Sequence, residues 1–345
     1  MAGARNILLL GSIPLDDAPA VMRLCGEILG PRLARYPDGE TGARSKFVTF
    51  QAPILGAAEQ FEIGALGPQE EWGPNGEFPP RIIKLKPGAT GMPAFGRTGY
   101  GAAAISGYQT FVSLKTAGVI PAGARFQVGL PSPMGVLAVF MEPDGQALAE
   151  PAYSARLIED LATICDSIPG DQLTIQFDIP EEIAVWEDYN TVHFADPKAG
   201  IIERLVALID RVPEAVEVGL HLCYGDISHR HWKEPDTAVM VDLANTIVAA
   251  AGRRIDYVHM PVPAGWTEPA RFAALGDLAL GVGSEIYLGV IHVTDGVSGA
   301  AARIAAAATV LPEFGVATSC GLGRRDPAMI PDILRLHTAS AALGR

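Results

Sequence analysis

The sequence predicts a single α/β domain over residues 1–345, folded as a (β/α)₈ TIM barrel. Short apolar runs alternate with longer helical patterns along most of the chain, and about eight such pairs occur in order. A hydrophobic content of 49% with 19% charged residues indicates a globular chain with a sizeable core. An open, doubly wound sheet is the competing fold. We favour the barrel because polar candidate residues follow nonadjacent strands, and only a closed barrel readily brings those strand ends together.

Each predicted strand is a short apolar run, and most of them precede a segment with helical periodicity. The strand candidates are Asn6–Leu10, Arg32–Tyr36, Arg125–Gly129, Leu173–Phe177, Val216–Leu220, Ile255–Met260, Ile286–Ile291 and Gly315–Thr318. The helix candidates are Ala18–Leu29, Tyr100–Ala117, Tyr153–Ser167, Gly200–Arg211, Thr237–Ala251, Pro269–Leu275, Gly299–Val310 and Ala328–Ala342.

Residues 45–99 interrupt this alternation. The stretch is rich in glycine, proline and acidic residues and shows no clear periodicity. It is too long for an ordinary loop, and long loops of this kind are often functional lids. We predict an excursion after the second strand, a lid or loop insertion over the mouth of the barrel.

Charge and composition limit the partners. A net charge of −13 without a basic run argues against nucleic acid or an anionic membrane as the main partner. The apolar run Ile7–Leu10 ends at Gly11 and is too short for a signal sequence or a membrane span. Four cysteines in a chain of this length do not form a disulfide scaffold. We therefore expect a cytoplasmic protein, with a homo-oligomer left open.

His221, Cys223 and Cys320 are the most informative residues. His221 and Cys223 follow one predicted strand, and residues two apart in extended chain point the same way. Cys320 follows another strand and could supply a third ligand. One imidazole and two thiolates suit Zn²⁺, and three protein ligands leave the open position of a catalytic zinc site. The alternative is a buried histidine with two small core thiols.

Two further strand ends carry histidines. His259 lies at the end of the sixth predicted strand, where it is either a further metal ligand or a packed residue of the barrel wall. His292 and Asp295 follow the seventh strand and are predicted as a catalytic proton-transfer pair, with a simple supporting hydrogen bond as the alternative. Five of the seven histidines lie at strand ends or just after them, which core packing alone would not explain.

Candidate substrate-binding residues lie in the same predicted loops. Asp38, Glu40 and Arg44 share a turn with two glycines, which indicates unusual backbone angles or a close approach to a ligand, with a plain acidic turn as the alternative. Arg324 could hold a carboxylate or sulfonate, or lie at the surface. The four tryptophans also fall in predicted loops and hint at an apolar or aromatic pocket: Trp72, Trp186, Trp232 and Trp266.

Five strand-end motifs together resemble a known family. In order they are Gly-Ser-Ile-Pro at 11–14, Leu-Pro-Ser-Pro at 130–133, Gln-Phe-Asp-Ile-Pro-Glu at 176–181, His-Leu-Cys-Tyr at 221–224 and Cys-Gly-Leu-Gly-Arg at 320–324. They resemble the catalytic barrel of cobalamin-independent methionine synthase and its relatives in the uroporphyrinogen decarboxylase/methionine synthase superfamily, which include epoxyalkane:coenzyme M transferase.

The resemblance implies a zinc ion that binds a substrate thiol as thiolate, which then attacks an alkyl carbon. It implies His221, Cys223 and Cys320 as the zinc ligands. It also implies that Ser12 and Asp178 hold the polar end of the thiol, and it places Tyr224 in the substrate-binding motif.

The chain departs from the synthase at two places. Pro261 stands where the synthase has a glutamate ligand, and His259 on the same face of the strand could replace that ligand. Leu137 stands near the place of a tryptophan that stacks the folate. Folate-dependent methionine synthesis is therefore not predicted.

The predicted function is zinc-dependent alkyl or methyl transfer between a small-molecule alkyl donor and a thiol, with His292 as general acid. One alternative is a zinc-assisted lyase or hydrolase acting on a small substrate, which could be aromatic. Another is a metal-binding barrel without catalytic activity.

Overall fold

The computed structural model describes residues 5–64, 81–227, 229–311 and 313–343. Its core is a curled parallel half-barrel of seven strands. In their order across the sheet these strands are β1 (Arg35–Pro37), β4 (Arg125–Pro131), β5 (Leu173–Asp178), β6 (Glu217–His221), β7 (Tyr257–Pro261), β8 (Glu285–Ile291) and β9 (Gly315–Thr318), while β2 (Phe61–Ile63) and β3 (Ile83–Leu85) lie in a separate small sheet. All seven correspond to predicted strands, with bounds shifted by a few residues.

The predicted first strand, Asn6–Leu10, lies between the two edges of this sheet. Ile7 forms parallel bridges with Leu33, just before β1, and with Val316 in β9. The Ile7 amide donates to the Arg32 carbonyl at 3.1 Å, and the Leu8 amide donates to the Val316 carbonyl at 3.1 Å. One short segment therefore bridges both edge strands, although only Ile7 pairs in a regular manner.

Helices connect the strands and cover the outside of the sheet. They are α1 (Ala18–Leu29), α2 (Ala52–Gly56), α3 (Tyr100–Thr116), α4 (Met134–Phe140), α5 (Pro143–Ser167), α6 (Pro180–Trp186), α7 (Pro197–Ile209), α8 (Thr237–Ala250), α9 (Gly296–Ala308) and α10 (Ile330–Ala341). The predicted helix Pro269–Leu275 is a 3₁₀ segment that runs from Pro269 to Asp277.

Two short helices outside the segment 45–99 were not predicted. Every residue of α4 and of α6 is buried, the two glutamates of α6 included, so neither sequence shows the polar and apolar faces that reveal an amphipathic helix. The helix predicted from Tyr153 begins ten residues earlier, at Pro143. The predicted start was too late because Pro151 lies inside the helix, and proline usually breaks a helix at such a position.

The segment 45–99 contains regular structure that its sequence did not indicate. A 3₁₀ stretch from Gly42 to Gln51 leads into α2. Two three-residue strands, β2 (Phe61–Ile63) and β3 (Ile83–Leu85), then pair antiparallel. Trp72 lies outside the described residues. Within the described ranges, no helix is both long enough and apolar enough to cross a membrane.

A polar stack inside the sheet supports the strand ends above it. The Arg35 guanidinium lies 4.5 Å from the centroid of the Tyr257 ring. A Cβ at Gly219 would lie 1.9 Å from that ring, so only glycine fits beside it. The Tyr257 hydroxyl donates to Gln176 Oε1 at 3.0 Å, and Gln176 Nε2 donates to Asp178 Oδ1 at 2.8 Å. The stack thereby fixes Asp178 at the end of β5.

Candidate metal centre and adjoining cavity

His221, Cys223 and Cys320 converge at the ends of β6 and β9. Their ligand atoms all lie within 4.8 Å of one another, and the two Sγ atoms are 3.5 Å apart. His221 and Cys223 are buried. Within the described residues these three side chains form the group that could hold a metal ion.

Local backbone contacts place the two thiols. The Leu222 amide donates to the His259 carbonyl at 3.1 Å, which keeps the chain extended beyond β6. Gly225 then turns the chain with φ +74°, and its amide donates to Cys223 Sγ at 3.3 Å. On the other side, the Thr318 hydroxyl donates to the Cys320 carbonyl at 2.8 Å.

His259 lies behind His221 and outside the group of three. The two residues pair in register across β6 and β7, and their Nδ1 atoms are 2.8 Å apart. His259 Nε2 lies 3.0 Å from the Thr318 carbonyl, which can only accept. His259 therefore carries its proton on Nε2 and accepts at Nδ1, because burial lowers its pKa well below the usual range.

This hydrogen-bond order sets the tautomer of His221. Its Nδ1–H donates to His259, which leaves Nε2 as the ring nitrogen that could bind a metal ion. A ligating histidine commonly donates its other ring nitrogen to a supporting group in this way. The donor set of one imidazole nitrogen and two thiols fits Zn²⁺. Without a cation, the hydrogen bond with Cys223 and burial raise the pKa of the Cys320 thiol.

A cavity of about 100 Å³ adjoins the three groups. It lies among the carboxyl ends of the strands, where barrels of this kind bind their ligands. Its polar and charged lining residues, besides the three, are Ser12, Glu40, Lys46, Thr49, Asp178, Glu181, Asp226 and Arg324.

Glu40 and Asp178 form a carboxyl pair on the wall of the cavity. Glu40 has a left-handed backbone, with φ +49°. A Cβ at Gly11 or Gly129 would lie 2.6 or 2.7 Å from Glu40 Oε1, so these two glycines make the space that the carboxyl group fills. Burial raises the pKa of Asp178 to about 6, and burial with the neighbouring Asp178 and Asp38 raises that of Glu40 well above its usual range.

Asp38 and Arg44 support the turn that carries Glu40. The guanidinium of Arg44 lies 2.7 Å from Asp38 Oδ2, and the Glu40 amide donates to Asp38 Oδ1 at 2.9 Å. Asp38 is buried behind the turn, while Arg44 borders a smaller pocket beside Glu40 and Asp178. Of the three predicted residues, Glu40 is the one that reaches the cavity beside the metal-binding group.

Ser12 and Arg324 also reach the cavity. The Ser12 hydroxyl accepts from the Gly323 amide at 3.3 Å, and a Cβ at Gly321 would lie 2.3 Å from Ser12 Oγ. The first strand end is therefore packed against the loop that carries Cys320. Arg324 Nε is buried without a hydrogen-bond partner among the described residues. A donor in this state favours an anionic ligand.

The predicted aromatic residues that the structure describes lie away from the cavity. The Tyr224 hydroxyl donates to Glu187, and its ring stacks on Trp232 at 5.1 Å. Trp266 Nε1 donates to Glu234 Oε1 at 3.1 Å and borders a separate outer groove. All three described tryptophans lie outside the cavity lining, namely Trp186, Trp232 and Trp266.

His292 and Asp295 form their hydrogen bonds with other residues and not with each other. His292 Nε2 lies 2.7 Å from the Val262 carbonyl, and burial lowers the pKa of this histidine to about 4. The Asp295 carboxylate accepts two hydrogen bonds from Arg303, at 2.6 and 2.7 Å. Neither residue lines the cavity. Since a general acid must hold a proton near neutral pH and reach the substrate, the geometry does not favour this pair.

Three charged residues of the cavity wall had no assigned role in the sequence. Lys46 lies in the 3₁₀ stretch after β1, where Phe47 with φ +52° interrupts the helical geometry. Asp226 follows the Cys223 turn. Glu181 follows β5, and its position in the strand-end motif at 176–181 was the available signal.

No protein-family model and no curated protein sequence matches the chain. Solved structures are similar to it, and two of them are described here. One is a B12-independent methionine synthase from Shewanella sp. W3-18-1 in complex with selenomethionine, at 13% identity and a TM-score of 0.60, covering 99% of this chain and 97% of that one. The other is a putative vitamin-B12 independent methionine synthase from Listeria monocytogenes, at 14% identity and a TM-score of 0.54, covering 98% of each chain. At these identities the likeness shows a shared fold.

Proposed function

We propose that this protein is a zinc-dependent enzyme that transfers an alkyl or methyl group to or from a small thiol. The observation that carries the proposal is the convergence of His221, Cys223 and Cys320 beside a charged cavity. The fold shared with two methionine synthase structures supports it. We also infer that the chain is a divergent member of the methionine synthase-like superfamily, in which Ile7–Leu10 completes the barrel.

The three residues would hold Zn²⁺, which binds a substrate thiol as thiolate and lowers its pKa. His259 would orient His221 through the Nδ1 hydrogen bond. The 3₁₀ stretch after β1 lines the cavity through Lys46–Thr49, so we infer that this stretch covers the bound substrate.

The charged residues of the cavity indicate which charged groups the thiol substrate carries. The unpartnered Arg324 Nε would hold an anionic group. Glu40 and Asp178 would hold a cationic group, because a positive charge beside them favours their ionised forms and offsets part of their burial cost. A small thiol with both charges, such as an amino acid, satisfies all three residues.

A zinc-assisted hydrolase or lyase is the second candidate. The carboxyl groups of Glu40, Asp178 and Asp226 line the cavity together with the metal-binding group. A carboxylate beside a metal site could take a proton from water. Thiol binding separates the two candidates, since a hydrolase does not need a sulfur atom from its substrate.

The test combines metal content with a transfer assay. We expect about one zinc per chain in the purified protein, and loss of that zinc in Cys320→Ala. Cys165→Ala is the matched control, because Cys165 is a free cysteine outside the cavity lining. The zinc-loaded protein should then methylate L-homocysteine from a sulfonium or methyl ether donor. Zinc retained in Cys320→Ala, or thiol methylation at the same rate without metal, would overturn the proposal.

A further inference from the structure

Glu181 and Glu182 are two adjacent buried carboxyl groups. They lie in the first turn of α6, shortly after β5, and the two residues are 2% and 1% exposed. Buried carboxyl groups are uncommon because burial disfavours the charged form. These two lie three and four residues after the cavity residue Asp178, which suggests a functional reason for their burial.

The two carboxyl groups have different surroundings. Glu181 Oε2 accepts from Asn190 Nδ2, and the Asn190 amide oxygen accepts in turn from Arg81. The Ser132 hydroxyl donates to Glu182 Oε1, while Glu182 Oε2 is buried without a partner among the described residues. Glu181 lines the cavity shared with the metal-binding group, and Glu182 does not.

Both carboxyl groups carry a proton more readily than an exposed glutamate does. Burial raises the pKa of Glu181 to about 8, with Glu182 adding to the shift while Asn190 and Arg81 oppose it. Burial raises the pKa of Glu182 to about 7, against the hydrogen bond from Ser132. At neutral pH the Glu181 carboxyl is therefore mainly the neutral acid, and its Oε1 is left for a bound molecule.

We propose that Glu181 is the general acid of the cavity and protonates the group that leaves the alkyl donor. The inference rests on the proposed function. It assigns to Glu181 the role that the sequence suggested for His292, which lies away from the cavity. The donor class that needs this acid has an oxygen or nitrogen leaving group, because such a group departs poorly as an anion.

The step balances without another reactant. The ionised sulfur of the thiol forms a bond to the alkyl carbon, and the bond from that carbon to oxygen or nitrogen breaks with its electron pair on the leaving atom. The proton of Glu181 moves to that atom and leaves Glu181 as carboxylate. Glu181 then takes up one proton from solvent, which equals the proton that the thiol released on ionisation.

The first test does not depend on turnover. Diazoacetamide esterifies protonated carboxyl groups, so the full-length protein is treated with this reagent and digested for mass spectrometry. We expect an ester on Glu181 and none on Glu182, with labelling that falls as the pH rises through about 8. No ester on Glu181, or equal labelling of both residues, would overturn the proposal.

The second test separates acid catalysis from packing. Methyl transfer to L-homocysteine is measured with methoxybenzoate, which loses a phenoxide, and with trimethylsulfonium, which loses a neutral sulfide. Glu181→Gln should lower kcat for methoxybenzoate about 100-fold and leave kcat for trimethylsulfonium within about threefold. Glu182→Gln, the matched buried control, should change neither by more than a few-fold.

Equal losses with both donors, or the same loss in Glu182→Gln, would show a structural role and contradict the proposal. Wild-type protein that transfers from neither donor would contradict the proposed function itself. The labelling result would still decide whether Glu181 is a protonated acid that faces the cavity.

Discussion

The cavity has two walls that are built in different ways. The metal wall consists of His221, Cys223 and Cys320, and strand ends in parallel register place it. The carboxyl wall consists of Glu40, Asp178 and Glu181, and depends on a left-handed turn, on close-packed glycines and on burial. Strand ends hold ligands at fixed spacing, whereas the second wall sets the protonation state of its groups. If the two walls act separately, changes in the metal wall should alter zinc affinity, and changes in the carboxyl wall should alter protonation or substrate binding.

The largest effect should come from removing a metal ligand. We expect Cys223→Ala to lower zinc affinity by more than about 100-fold, because loss of a ligand should exceed the loss of a supporting contact. Competition with a chelator measures that affinity. Cys25→Ala, a buried cysteine distant in sequence from both strand ends, should retain zinc. Equal zinc affinity in Cys223→Ala and wild type would contradict zinc binding by the metal wall.

The second effect concerns the residue behind the metal wall. We expect His259→Phe to lower zinc affinity about 10–100-fold, because His221 loses the acceptor that fixes its tautomer. His337→Phe is the matched control, since His337 is also fully buried and lies beside one carbonyl, that of Ile333. Similar changes in both variants would mean that general loosening of the fold, and not ligand orientation, governs affinity.

The third effect is a pH dependence from Glu182, the buried neighbour of Glu181 that lies outside the cavity lining. The folded-state pKa of Glu182 lies at about 7, above its usual value of 4.5, so folding binds a proton between these values. Stability should therefore fall as the pH rises through this window. In urea unfolding, Glu182→Gln should reduce this loss by about 1–2 kcal/mol. The exposed Glu27→Gln should leave the slope unchanged, and an equal slope in Glu182→Gln would contradict the assignment.

The smallest effect should come from one added methyl group. A Cβ at Gly129 would lie 2.7 Å from Glu40 Oε1, the far end of a flexible side chain. We expect Gly129→Ala to move that carboxyl group, raise KM for the thiol several-fold and change stability by less than about 1 kcal/mol. Gly123→Ala meets no atom within 4 Å and should change neither value. An unchanged KM in Gly129→Ala would show that the position of the Glu40 carboxyl group does not affect substrate binding.

The sequence predicted the metal wall better than the carboxyl wall. Alternation of apolar runs gave all seven strands of the sheet, and the spacing of His221 and Cys223 gave their shared face. Glu181 was missed because its pKa depends on burial in the folded chain and on Asn190, which is in turn held by Arg81 from a segment distant in sequence. Helices α4 and α6 were missed because complete burial removes helical periodicity.

The proposed function requires that the metal-binding group activates a thiol. Zinc K-edge X-ray absorption of the full-length protein, before and after addition of L-homocysteine, measures the sulfur ligands of the metal. We expect two sulfur ligands from Cys223 and Cys320 before addition and three afterwards, with one histidine nitrogen throughout. An unchanged sulfur count would contradict it and favour a metal site that activates water.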